Sequence, residues 1–169
     1  VLGDMTDARL EARFDAVLFG LNGLMHVKGV DGLTRALSCA RRHLDPGGLL
    51  AADVFPTGRT TPGEVDPQQL IDPEGRRWLV TEERHLKGSI QELSFVYRPL
   101  FDGARPERAT VELFVPPPGV LEATLEACGF LLEGDWQDLD RTQPFELGAH
   151  RRVIEARARK GVCKTPIPH

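Results

Sequence analysis

Residues 14–20 read FDAVLFG, and this stretch decides the fold. From Ala16 to Phe19 the side chains are continuously apolar and do not alternate. That is the pattern of a strand inside a parallel sheet. A second apolar strand is expected over Leu49–Phe55. Between the two, Val30–Leu44 keeps a helical period, with Leu33, Ala36, Leu37, Ala40 and Leu44 on one face. Arg41, Arg42 and His43 fall in its last turn, where positive charge suits the helix dipole, and Pro46-Gly47-Gly48 ends it. Strand, helix, strand is one crossover, so the two strands should run parallel. Upstream there is room for a short helix ending at Arg13 and capped by Thr6 or Asp4. The linking segment GLNGLMHVKG reads as a loop with a helical tendency.

Downstream, Pro56–Pro73 holds four prolines and few apolar residues, and reads as a surface excursion, a lid or a disordered loop. Three strand-like runs follow, Arg77–Leu86, Ile90–Leu100 and Arg108–Val115, with Gly88 and Asp102-Gly103 at the turns. They predict a small antiparallel sheet. Pro116-Pro117-Pro118 leads into a helix over Gly119–Ala127, closed by Gly129. Phe130–Leu139 and His150–Ala158 are the last two strands, and their link is too short for a helical crossover, so they should pair antiparallel. The expected organisation is one domain over residues 1–158. Its core is 1–55 with 116–158, its β insert lies in 56–115, and a frayed tail covers 159–169.

The 169 residues are enough to bury a core without staples. The net charge of −4, with 41% hydrophobic and 27% charged residues, is that of an ordinary globular protein. It gives no reason to expect nucleic acid or an anionic membrane as a partner. The basic pairs Arg41-Arg42, Arg76-Arg77 and Arg151-Arg152 read as solvated faces. Three cysteines, Cys39, Cys128 and Cys163, form no C-x-x-C pair, so no zinc site or disulfide framework is expected. With no long apolar run and no signal-peptide pattern, a cytoplasmic location is expected.

Taken in order, FDAVLF, LDPGG, GLLAADVF, LEACGFLLEGDW and HRRVIEARA resemble the C-terminal half of class I methyltransferases that use S-adenosylmethionine. The resemblance covers most of 1–55 and 116–158. It implies an α/β fold, a Rossmann-like sheet that is incomplete here and ends in an antiparallel hairpin. FDAVLF looks like the family's fourth strand, GLLAADVF its fifth, and the last two strands its sixth and seventh. The family's glycine-rich cofactor loop and acidic ribose ligand are not in this sequence; two further βα units, ~60 residues, would supply them. The chain is therefore expected to be a piece of a longer protein, with FDAVLF along an open sheet edge. Such an edge invites a homodimer or another partner. A non-catalytic module pairing through that edge, or part of a nicotinamide-dependent Rossmann enzyme, is the alternative.

The resemblance also implies site residues. The carboxylate of Asp4 would accept from the adenine amino group of S-adenosylmethionine, with Met5 on the ring. Phe19, Gly20 and Asn22 would line the methionine end. Read without the resemblance, Asp4 is a helix cap, and Gly20 and Asn22 are turn residues. His26 is the candidate general base, since histidine is the side chain that changes charge near neutral pH. Asp53 ends the second strand, facing the cleft or making a structural hydrogen bond. In the insert, Trp78, Arg84, Tyr97 and Arg98 are candidate contacts for a small-molecule substrate. Asp135, Asp138 and Asp140 read as solvated charge along a strand edge, and no metal is expected.

Overall fold

The computed structural model describes residues 2–54, 63–149 and 151–160. Its elements, in chain order, are β1 (Phe14–Phe19), α1 (Gly29–His43), β2 (Leu44–Val54), β3 (Gly63–Ile71), β4 (Arg77–Lys87), β5 (Ile90–Pro99), β6 (Glu107–Phe114), α2 (Val120–Ala127), β7 (Phe130–Gln137) and β8 (Arg152–Ala158). A 3-10 turn covers Gly23–His26. The chain divides into two compact units, Val1–Arg59 with Val115–His169, and Thr60–Phe114.

The larger unit carries a four-stranded sheet in the order β1-β2-β8-β7. β1 and β2 are parallel, with Ala16 opposite Leu49 and Phe19 opposite Ala52, while β8 pairs antiparallel with both β2 and β7. Among the described residues β1 has a strand on one side only. It is not buried on both faces either: Leu18 is 74% exposed. The open edge expected along FDAVLF is thus present among the described residues.

β2 starts five residues before the expected Leu49, because the chain passes from α1 directly into extended backbone. Pro46-Gly47-Gly48 is absorbed as an irregularity in the β1–β2 register, between Phe14 and Ala16. Position 48 is crowded: a Cβ there would lie 3.0 Å from Leu44 Cδ2 and 3.1 Å from the Asp15 carbonyl oxygen, so any side chain would press on its neighbours. From Gly48 onward β2 alternates, with Leu50, Ala52 and Val54 buried, and β8 answers with Ile154, Ala156 and Ala158. Leu33, Leu37, Leu125 and Phe130 complete the apolar core of this unit. α2 ends at Cys128, whose N–H reaches the Thr124 carbonyl, and Gly129 takes a left-handed φ of 82°.

The short helix expected before Phe14 does not form. A single turn closes on Asp4, whose carbonyl accepts from the N–H groups of Asp7 and Ala8. Leu10 N–H, which a longer helix would aim at the Thr6 carbonyl, donates instead to His43 Nε2 at 3.0 Å. That bond makes Nε2 the acceptor, so the proton sits on Nδ1 and is donated to the Cys39 carbonyl at 2.8 Å. Two of the basic pairs are also not simply solvated, since Arg41 and Arg152 are buried. Arg41 Nη2 donates to the Arg159 carbonyl at 2.8 Å. Cys39 and Cys128 are buried, and burial pushes the Cys39 thiol up. Cys163 and the tail from residue 161 lie outside the described residues, as does His150.

The smaller unit is an antiparallel sheet in the order β3-β4-β5-β6. Three of its strands follow the sequence pattern. The fourth, β3, corrects the reading of Pro56–Pro73 as a loop, because Gly63–Ile71 is paired strand. Its prolines hid it. β3 is an edge strand, and Pro67 falls where the register shifts between Val65 and Gln68, a place where no ladder N–H is needed. The rest of that loop, residues 55–62, lies outside the described residues.

Candidate functional site

Ligands of open α/β sheets bind beyond the carboxyl ends of the parallel strands. Here those ends are Phe19 of β1 and Val54 of β2. After Gly20 the chain makes an unusual turn, with Leu21 at φ 54° and Asn22 at φ 56°. Two successive non-glycine residues in the left-handed region cost roughly 1–3 kcal/mol each. Leu24 and Met25, both fully buried, anchor the following 3-10 turn. Gly23 N–H reaches the Gly20 carbonyl at 2.9 Å, and Met25 N–H the Asn22 carbonyl at 2.7 Å. Across the strand ends, Asp53 Oδ1 accepts the Asn22 N–H at 3.1 Å. Arg151 Nε stands 3.9 Å from the other Asp53 oxygen. Asp53 thus makes the structural hydrogen bond that its position allowed, and it holds the turn from the second strand.

The turn presents Gly20 and His26 to solvent, while Phe19 and Asn22 are half-buried. A Cβ built on Gly20 would meet nothing within 4 Å, so the surface over the loop is open. Among the described residues no hydrogen bond orients the His26 ring. Asp4 is exposed and Met5 half-buried. Asp4 Oδ1 accepts the Thr6 N–H at 2.8 Å, capping a turn and not a helix. That backbone bond, with the Thr6 hydroxyl second, holds the Asp4 carboxyl below the usual carboxylate range.

The insert candidates separate. Trp78 and Tyr97 both line a recess of about 220 Å³ in the smaller unit, together with Leu70, Asp72 and Glu107. Arg84 is not among its lining residues; its Nε bonds Glu82 Oε1 at 2.5 Å. Arg98 donates to the Thr81 hydroxyl at 3.1 Å. Glu107 was not legible as a candidate, because only the β5–β6 register brings it opposite Tyr97.

Among the described residues no group of three or more His, Cys, Asp or Glu side chains is placed to hold a metal ion. The three aspartates expected along one strand edge are dispersed. Asp135 is paired with Arg152, Asp138 with Arg151, and Asp140 caps a turn through the Thr142 N–H. Among the described residues no helix is long and apolar enough to cross a membrane.

No family model matches this chain, and no curated protein does. Solved structures do. The S-adenosylmethionine-dependent methyltransferase from Clostridium acetobutylicum ATCC 824 superposes with a TM-score of 0.76 at 13% identity, over 94% of this chain and 64% of its own. The CcbJ methyltransferase from Streptomyces caelestis gives 0.75 at 20% identity, over 94% and 63%. The sugar N-methyltransferase KedS8 from Streptoalloteichus sp ATCC 53650 gives 0.75 at 23%, over 94% and 61%. The fold is therefore the Rossmann-like α/β fold of class I S-adenosylmethionine-dependent methyltransferases. The chain spans less than two thirds of the length of these three proteins.

Proposed function

We propose that this chain forms the cleft-lining part of an enzyme that transfers a methyl group from S-adenosylmethionine to a small-molecule acceptor. The observation that carries this reading is the strained Leu21-Asn22 turn, held by Asp53 at the carboxyl ends of two parallel strands. Backbone strain kept in place by a dedicated carboxylate belongs to a site more than to a connection. The solved neighbours support the same reading, two of them being described as an amino pentose methyltransferase and a sugar N-methyltransferase.

The residues present fit such a cofactor. Asp4 offers an exposed carboxylate whose ionised form is favoured, suited to accepting from an adenine amino group. Met5 supplies apolar surface beside it. Gly20 leaves open space over the strand end for the methionine portion, with Phe19 and Asn22 on either side. When bound, S-adenosylmethionine supplies an activated methyl group on a sulfonium, so the protein's work is alignment and exclusion of water. His26, at the end of the same turn, takes the proton from the acceptor's nitrogen or oxygen. Within the smaller unit, Trp78 and Tyr97 share one recess suited to a small molecule, which Arg84 does not line.

The test is a nuclear magnetic resonance titration of the 169-residue chain with S-adenosylmethionine. Amide signals of Asp4, Met5, Gly20 and Asn22 should move together. Movement confined to other residues would overturn the assignment. Affinity should be weak, because no G-x-G-x-x-G loop lies in this sequence to hold the ribose and carboxylate ends. A micromolar Kd by calorimetry would contradict that part alone.

A second observation favours self-association. β1 pairs only with β2 among the described residues, and its apolar Leu18 and Phe14 are exposed. Two copies pairing through this edge would cover it. Sedimentation should show a concentration-dependent dimer that Leu18→Lys weakens. A clean monomer at every concentration excludes it.

A further inference from the structure

A recess lies inside the smaller unit and is built from that unit alone. Register sets it up: Leu70 stands opposite Trp78, Val80 opposite Tyr97, and Tyr97 opposite Glu107. Trp78 and Val80 are two residues apart, so strand alternation puts Leu70, Trp78, Tyr97 and Glu107 on one face of the sheet. With Asp72 they line an open recess of about 220 Å³.

Its aromatic wall is held in place. The Trp78 indole N–H donates to Asp72 Oδ2 at 3.1 Å, and the ring meets Phe101 edge-to-face at 5.1 Å. The sequence DPEG that joins β3 to β4 makes this possible: Asp72 Oδ1 accepts the N–H groups of Glu74 and Arg76 at 3.1 and 2.8 Å and so folds the turn around its own carboxylate. Arg76 Nε sits 2.7 Å from Asp72 Oδ2, so the charge of Asp72 is already answered. Glu107 is different. Among the described residues no basic side chain pairs with it, and the Tyr97 hydroxyl has no partner. Arg108, the next residue, points to the other face and bonds Glu83 at 3.0 Å.

An indole, a phenol, an aliphatic side chain and an exposed carboxylate with no basic side chain on it together favour one ligand class. Aromatic faces attract a cation, and most strongly an ammonium carrying carbon substituents that Leu70 and the rings can shield from water. A neutral hydroxyl could donate to Glu107, but only a cation gains from both its charge and the ring faces, and an anion would be repelled by it. We propose that this recess binds the ammonium group of a small organic amine, with Glu107 as its counter-ion and Trp78 and Tyr97 as its walls. As a binding site it stands without the methyl-transfer reading; only the further identification of that amine as a methyl acceptor rests on it.

The experiment uses the 169-residue chain and follows the Trp78 indole N–H signal. Choline is the probe, and 3,3-dimethylbutan-1-ol, of the same shape without the charge, is its control. Choline should move the signal saturably, and the alcohol should not. Glu107→Gln should weaken choline binding by about threefold, with an unchanged thermal midpoint showing that this exposed substitution leaves the fold intact. Equal binding of the alcohol, or a Glu107→Gln variant that binds choline as well as the parent, would overturn the site. A trimethyl-lysine peptide that binds more tightly than choline would overturn the small-molecule assignment. A choline response at Trp78 without any S-adenosylmethionine response at Asp4 or Asn22 would uphold this site and refute only the methyl-transfer reading.

Discussion

Arg151 and Arg152 are adjacent in the chain and have opposite fates. Arg152 opens β8 opposite Val54, at the carboxyl end of β2. Its Nε and Nη2 grip Asp135 at 2.8 and 2.7 Å, Nη2 also reaches Glu122 Oε1 at 2.6 Å, and the guanidinium lies 4.7 Å from the Phe145 ring centre. Its side chain is 10% exposed, against 44% for Arg151. Arg151 bonds Asp138 at 3.1 Å and only approaches Asp53, at 3.9 Å. Extended backbone sends successive side chains to opposite faces, so one arginine meets α2 and the other the site end of the sheet. The first ties β7, β8 and α2 together. The second leaves Asp53 free to hold the Asn22 turn. The comparison teaches where this sheet end is fixed and where it is left adaptable.

The sharpest way to break that contrast is to remove each arginine in turn. Arg152→Met keeps much of the volume but leaves Asp135 and Glu122 facing each other without their cation. It should cost about 3 kcal/mol in a urea titration, the low end for a broken buried pair because both carboxylates are partly exposed. Arg151→Met should stay within ~0.5 kcal/mol. Equal losses would end the distinction. Acid should tell the same story. Burial pushes Glu122 up, but the hydrogen bond and charge of Arg152 outweigh it and hold the group below its ordinary range. A depressed carboxyl contributes stability above its unfolded pKa and loses it as pH falls through the folded value. Wild-type stability should therefore drop as pH falls below the ordinary glutamate range, and Arg152→Met should flatten that drop. A parallel acid loss in the variant would mean that Glu122 answers to some other group.

The same contrast explains what could be read from the sequence. Apolar runs, the Leu33-to-Leu44 period and the length of each link sufficed for the parallel β1–β2 pair and the antiparallel β7–β8 pair, because those features act locally. β3 escaped, since its prolines read as loop until edge position and register made them harmless. The helix expected before Phe14 does not form, and the Leu10 N–H that would extend it finds its acceptor 33 residues away, on His43, a partner the local sequence does not reveal. The pair Arg151-Arg152 was readable as charge but not as one buried and one exposed residue. That Gly20, Asn22 and Asp53 follow or close strands was legible, whereas a cofactor role for Gly20 and Asn22 was only what the resemblance implied. The bond between Asp53 and Asn22 was not legible, nor was Glu107 beside Tyr97, because each depends on which residues become neighbours across a sheet.

Asp53 offers the next test, on the adaptable side. Asp53→Ala leaves the Asn22 N–H without its acceptor and should cost about 1 kcal/mol, seen as faster hydrogen exchange at the Asn22 amide. Asp53→Asn keeps an acceptor oxygen and should restore most of the protection. If both variants exchange like the wild type, Asp53 does not hold the turn and the site loses its main support.

The smallest expected effect is a gain. Leu21 is 85% exposed and sits at φ 54°, so its side chain adds little packing while its backbone pays for a left-handed conformation. Glycine adopts that conformation without steric cost, although it also widens the unfolded ensemble. The balance favours Leu21→Gly by about 0.5 kcal/mol, read as a small rise in the thermal midpoint. The same change in an Asp53→Ala background should raise stability further, because there the turn no longer has its carboxylate to hold the strained pair in place. If Leu21→Gly instead destabilises the chain, then Leu21 packs against something in solution. The turn would then be one side of an interface, and the self-association reading would gain at the expense of an open cleft.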